Sequence, residues 1–167
     1  MSTRCIITLS SNSGICHVYK HEDGYLSGIQ RLLAHALPFA WPLPRFEADD
    51  FAASIITADR TDPSVPPTTR GGARPIPHDW HPESIADIDY YYYLCPNPDY
   101  KHGLRAHAAN SVLITAFSME YGTPIFDADR ALYTGFRRTH LLTIPLHKFL
   151  SRSSKALDKL QAGPART

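Results

Sequence analysis

Where the prolines stand constrains this chain of 167 residues more than any other feature of its sequence. Of fourteen, three crowd residues 38–45 and six fall in residues 61–86, beside the adjacent Gly71 and Gly72. Each proline removes a backbone donor and pushes the residue before it out of the helical region. Regular structure is thereby confined to the stretches between them. A helix must stop at Pro38, and residues 61–86 form a long surface loop with room for a short edge strand, of a length usual for binding loops or disordered segments. The material on either side is too short for two separate cores, so the sequence predicts a single domain over 1–167.

Between the breaks the apolar spacing is informative. Residues 4–9 and 14–20 are β-branched-rich runs separated by four turn-forming side chains, which predicts a β-hairpin. A two-residue loop at Asn12 and Ser13 puts Cys5, Ile7, Cys16 and Val18 on one face and Ile6, Thr8, Ile15, His17 and Tyr19 on the other, either of which could be buried. Leu26, Ile29, Leu33, Ala36 and Leu37 make one face of a helix over 26–37. Ala48, Phe51, Ala52, Ile55 and Ile56 do the same over 46–60, with Glu47, Asp49 and Asp50 in a first turn that favours acidic groups. The tyrosine-rich run 87–95 reads as a strand with Ile88, Tyr90, Tyr92 and Leu94 on one side. Residues 111–119 read as another, turning at 121–124 into 125–128, with a short last run at 130–135. A final helix over 145–161 starts with Pro145 in its first turn and Thr143 as its cap. This order predicts an α+β fold: an antiparallel sheet of about five strands, from the N-terminal hairpin and the C-terminal strands, packed by two or three helices.

Composition adds what surrounds the fold. Three cysteines make no disulfide framework, no run reaches membrane-spanning length, and the N-terminus lacks a secretory pattern, so a cytoplasmic setting is expected. The net charge of +1 hides an asymmetry: residues 136–167 carry seven Lys and Arg against Asp158 alone, net +6, and the remainder ten against fifteen, net −5. Within the last helix Lys148, Arg152, Lys155 and Lys159 recur as a basic stripe beside the apolar Leu146, Phe149, Leu150, Leu157 and Leu160. Such a stripe, with Arg137, Arg138 and Trp80 of the long loop as an anchor, is the expected partner-binding surface. An acidic protein, RNA or DNA, or anionic lipid would each satisfy the stripe.

Catalytic constellations are sparse. His21 oriented by Asp23 would make a general base, and His17 with His21, or His78 with His81, would make partial metal-ligand sets. No other residue completes a triad, and no motif of zinc-ligand or phosphate-cradling spacing occurs, so neither metal nor cofactor is expected. Cys5 and Cys16 read as small buried hydrophobes. Tyr90 to Tyr93 would suit a stacking platform for single-stranded nucleic acid, but no basic residue lies in that strand and Asp87 and Asp89 would repel phosphate, so outward tyrosines are assigned to a protein partner.

The run from Tyr19 to Gly28, Tyr-Lys-His-Glu-Asp-Gly-Tyr-Leu-Ser-Gly, resembles the Tyr-x-His-x-Asp-Gly-Tyr-Pro-x-Gly motif of small bacteriophage and prophage proteins, with Leu26 where proline is usual. The resemblance covers the first third of the chain, with a looser likeness in the final strands. It implies a phage or mobile-element accessory protein working inside a bacterial host. The expectation is a non-enzymatic protein that binds a host protein or nucleoprotein complex and inhibits it, as anti-CRISPR and other anti-defence proteins do. The alternatives are a small hydrolase or nuclease using His21 and Asp23, and direct nucleic-acid binding through the basic helix.

Overall fold

The computed structural model describes residues 3–65, 67–68, 70–77, 88–101, 108–127 and 132–162, with the backbone path alone over 121–127 and 132–137. Strand β1 (Cys5–Ser11) turns directly into β2 (Gly14–Lys20), with Ser11 opposite Gly14 across the two-residue loop. Helix α1 (Leu26–Ala36) tightens into a 3-10 turn at Leu37–Phe39 as Pro38 ends it, and α2 (Ala48–Thr61) follows the proline-rich corner. Beyond them lie β3 (Ala73–Pro75), β4 (Tyr90–Pro96), β5 (Val112–Asp127), β6 (Leu132–Pro145), α3 (Leu146–Leu150) and α4 (Ser154–Gln161).

Among the described residues the strands form one sheet of six in the order β3-β2-β1-β4-β5-β6, so the α+β expectation holds with one strand more than expected. The sheet is mixed rather than antiparallel throughout, because β4 pairs parallel to β1. The chain leaves β2, passes through both helices and β3, and returns beside β1 running the same way, as a crossover connection requires. The short edge strand anticipated in the proline-rich loop is β3. Three further boundaries differ from expectation. Residues 121–124 are not a turn: β5 runs through them and keeps pairing with β6 to Asp127, across an irregularity between Tyr121 and Ile125. β6 extends to Pro145, well past the expected 130–135. Ile88 precedes β4 and packs on the face opposite Tyr92 and Leu94, because alternation begins only where pairing does.

Both faces of the hairpin are buried. On one, Cys5, Ile7, Leu9, Val18, Tyr92, Leu94, Ile114 and Ala116 pack under the four helices, through Leu26, Ile29, Leu33, Phe51, Ile55, Phe149 and Leu157. On the other, Ile6, Tyr19, Ile76, Ile88, Tyr91 and Met119 form a smaller cluster. Among the described residues no helix is long and apolar enough to cross a membrane.

Lys20 ends β2 on the helix-covered face and is 3% exposed, which places its ammonium inside the fold. Asp59 of α2, 2% exposed, forms an ion pair with it, and the second carboxylate oxygen accepts the Ala73 amide of β3 at 2.8 Å. One carboxylate thus joins β2, α2 and the edge strand. Removing one member of a buried pair leaves the other charged and unsolvated, so Lys20→Met should lower stability by about 3–5 kcal/mol. The matched Lys20→Met, Asp59→Leu double variant should recover part of that loss. Urea unfolding of the three proteins checks both, and a Lys20→Met midpoint equal to wild type would remove this pair from the account of stability.

Candidate functional site

The Tyr19–Gly28 motif proves to be the joint between β2 and α1. Asp23 adopts a left-handed backbone (φ 56°), which turns the chain from strand to helix. The Gly24 amide donates to the Thr3 carbonyl at 2.8 Å, and the buried Tyr92 hydroxyl donates to the Gly24 carbonyl at 2.7 Å. A Cβ on Gly24 would sit 2.9 Å from the Arg4 and Cys5 backbone, and one on Gly28 only 2.2 Å from the Asp23 carbonyl oxygen. Both glycines are required by close backbone approach, so helix α1 enters flush against β1.

His21 and Asp23 serve different neighbours. The exposed His21 ring is hydrogen-bonded through Nδ1 to the Tyr19 hydroxyl at 3.0 Å, while the Asp23 carboxylate accepts from Arg31 at 3.1 Å. His21 lies beyond the end of β2, and His17 is hydrogen-bonded to Thr8 at 2.8 Å, so the two do not share a strand as the partial metal-ligand set at i and i+4 would need. Among the described residues no three His, Cys, Asp or Glu side chains converge as a metal-ligand group. His78, Trp80 and His81 lie outside the described residues.

Thiol chemistry is muted. Burial pushes the Cys5 thiol far above its usual range, Lys20 opposing and Asp59 and Asp89 adding to the effect. Burial, then Asp49, raises Cys16, and burial raises Cys95. A thiol held protonated is a poor nucleophile.

The expected basic helix over 145–161 is two helices. Pro145 is the N-cap of α3, whereas Thr143 stays in β6, hydrogen-bonded to Thr115 at 3.1 Å and to His140 at 2.9 Å. The run Ser151-Arg152-Ser153-Ser154 offers no apolar group to bury. Ser153 instead starts α4, its Oγ accepting the Ala156 amide at 3.3 Å. The freed carbonyls go to Gln30 of α1, whose amide donates to Phe149 at 2.7 Å, Leu150 at 3.2 Å and Arg152 at 2.8 Å.

Lys148, Arg152, Lys155 and Lys159 are therefore not one helical stripe but a cluster spread over α3, the connection and α4. All four are exposed, and among the described residues none forms an ion pair. Arg138 belongs elsewhere: its guanidinium lies 4.7 Å from the centre of the Tyr91 ring, on the sheet face away from the helices. The backbone of Arg137 pairs with Glu120, and its side chain lies outside the described residues.

Two surface features gave no functional signal in the sequence. A groove of about 300 Å³ opens between α2 and the sheet edge, lined by Ile15, Cys16, Ala52, Ile56 and Pro75. Trp41, 48% exposed, stands in the proline-rich corner with the Arg45 guanidinium 3.6 Å over its ring. Spacing shows neither, because the groove joins residues distant in sequence and the corner is legible only as the end of a helix.

Comparison with known protein families, with curated proteins and with solved structures finds no match to this chain.

Two outcomes follow from the joint and from the thiols. Gly28→Ala should destabilise the fold by about 3 kcal/mol or more through overpacking, read as a fall in the urea midpoint; a neutral effect would mean the joint relaxes freely. Iodoacetamide at neutral pH should leave Cys5 unmodified in the folded protein and label it once urea is added, as read by peptide mass. Rapid labelling of Cys5 in the native state would overturn its assignment to the core.

Proposed function

We propose that this chain is a non-enzymatic interaction protein of the phage or mobile-element accessory type. In this reading it occupies the working surface of a host protein or nucleoprotein complex, in the manner of anti-CRISPR and other anti-defence inhibitors. The observation that carries the reading is the group of Lys148, Arg152, Lys155 and Lys159, four exposed cations that form no ion pair with a carboxylate among the described residues, Asp158 of α4 included. Long cationic side chains on a surface are ordinarily solvated and contribute little to stability. Here they lie on two short helices and their junction, where the two N–H groups of the Gln30 amide are shared among the Phe149, Leu150 and Arg152 carbonyls and hold the connecting backbone. A preorganised cationic surface steers an anionic partner and fixes its register.

Two further observations support a binding role. The motif that suggests the phage setting has structural work for its two glycines, and its His21 and Asp23 are engaged by Tyr19 and Arg31 rather than by each other. The −5 balance of residues 1–135 also gives the molecule a second sign of charge with which to meet a basic channel.

The test is capture from a bacterial lysate with and without nuclease, comparing wild type with the variant in which Lys148, Arg152, Lys155 and Lys159 are all Glu. One stoichiometric, nuclease-resistant protein partner is expected on the wild type. Its affinity for the variant, measured with purified components, should fall by at least about a hundredfold while the circular dichroism spectrum is unchanged. Equal capture by both proteins would remove the cluster from the interface. Recovery of nuclease-sensitive material alone would replace the protein partner by nucleic acid.

A further inference from the structure

The sheet face turned away from the helices combines aromatic rings and cations in a way no single strand displays. Across β4, β5 and β6 the register aligns Tyr91, Phe117 and His140 in one row and Tyr93, Thr115 and Thr143 in the next, with Arg138 opposite Met119. Tyr91 and Phe117 are tilted neighbours at 6.2 Å, and Phe117 meets His140 edge-on at 5.7 Å. Toward β1 and β2 this face is closed over Ile6 and Tyr19. Toward β6 it opens: Tyr93, Thr115 and Phe117 are half-buried, and Arg138, His140 and Thr143 are exposed.

We propose that this open half of the sheet face binds single-stranded nucleic acid, a site independent of the α3–α4 cluster, which packs on the other side of the sheet. Three requirements of such a ligand are met together. Unpaired bases stack on aromatic rings whatever their identity, and Tyr93 and Phe117 are diagonal neighbours held rigidly by strand pairing. Phosphates need cations beside the rings, and Arg138 supplies one, its planar guanidinium already stacked at 4.7 Å on Tyr91. Hydrogen-bonding groups line the same rows, with Thr115, Thr143 and His140 joined by contacts of 3.1 and 2.9 Å. The cation that the tyrosine strand lacks in sequence comes from β6, two strands away. The nearby exposed Asp89 carboxylate accepts the neutral Arg4 backbone amide at 2.8 Å, so its repulsion of phosphate has to be offset by Arg138. A duplex keeps its base faces stacked inside and offers this surface only phosphate, so the preference is for single strands.

Fluorescence anisotropy with a labelled oligothymidylate of about twelve nucleotides tests the site, with its duplex form as control. The expected result is saturable binding to the single strand that weakens steeply with salt, and weaker binding to the duplex. Arg138→Gln with His140→Gln changes exposed groups only and should weaken binding about tenfold or more; Tyr93→Leu with Phe117→Leu should do the same by removing stacking. Lys155→Gln with Lys159→Gln should leave affinity within about threefold, because a distant charge acts only through the screened field. If the double leucine variant loses its circular dichroism spectrum, the exposed pair alone decides. No saturable binding up to about 100 μM protein, the weak end of non-specific nucleic-acid affinity, would overturn the proposal. So would equal affinity for the duplex, indifference to Arg138→Gln with His140→Gln, or loss of binding in the α4 variant. None of these outcomes bears on capture of a protein partner by α3 and α4.

Discussion

The buried pair of Lys20 and Asp59 sets how the two halves of this fold meet. An ammonium inside an apolar layer is tolerated only where a carboxylate comes to it, which fixes α2 over the end of β2. The same carboxylate holds the Ala73 amide, so β3 is positioned by that pair as well as by its own short ladder. On the other side of Lys20 the chain turns through Asp23 and Gly24 into α1, whose close approach to β1 is secured by the Tyr92 hydroxyl. Tyr92 belongs to β4, so the parallel strand and the first helix are tied at one carbonyl. A polar pair and one phenol thereby orient elements that hydrophobic packing alone would leave free to slide.

Local features of the fold are legible in the sequence because their causes are local. The hairpin is read from two apolar runs and a short polar turn, and α1 and α2 from spacing that puts Leu26, Ile29, Leu33, Phe51 and Ile55 inside. The first helix ends where Pro38 requires. Features that fail to appear have distant causes. Nothing near Tyr90 encodes parallel pairing with Cys5, which depends on the crossover through both helices. The C-terminal helix looks continuous because its apolar positions keep helical spacing, and the break at 151–153 depends on Gln30, some 120 positions earlier. The extent of β5 and β6 is misread at Gly122 and Pro124, ordinarily turn residues, where the strands instead continue across an irregularity in the ladder.

The candidate surfaces divide along the same line. Lys148, Arg152, Lys155 and Lys159 are visible as a charge excess, and the structure changes their arrangement without covering them. Periodicity places them on one stripe only by assuming an unbroken helix. His21 and Asp23 look like a catalytic pair because they are close in sequence, yet a left-handed residue between strand and helix sends their side chains to separate partners. Sequence proximity is a poor guide at a turn, where successive side chains diverge, and a good one along a regular element.

The tyrosine strand poses the converse problem, a surface whose chemistry is not visible from its own strand alone. A strand divides its side chains between two faces, and each face takes most of its chemistry from the strands beside it. Tyr90 and Tyr92 face the helices, where Tyr92 is fully buried and its hydroxyl is occupied, while Tyr91 and Tyr93 face the other way. Four consecutive tyrosines are therefore two pairs in unlike surroundings. Asp89, which argues against an anionic ligand when the sequence is read linearly, is exposed with its carboxylate hydrogen-bonded to the Arg4 amide, and the same face carries two exposed arginines stacked on rings, Arg138 of β6 on Tyr91 and Arg74 of β3 on Tyr19. The overall division of charge, +6 in residues 136–167 and −5 before them, hides this, since Arg138 sits on the opposite side of the sheet from α3 and α4. Charge that looks like one basic end in the sequence is distributed by the fold over two faces, one of exposed lysines and an arginine on α3, α4 and their connection, and one of an arginine stacked on an aromatic sheet. Those two settings differ in geometry: a lysine ammonium offers a point charge on a flexible stem, whereas the arginine presents a planar fork already aligned with a ring.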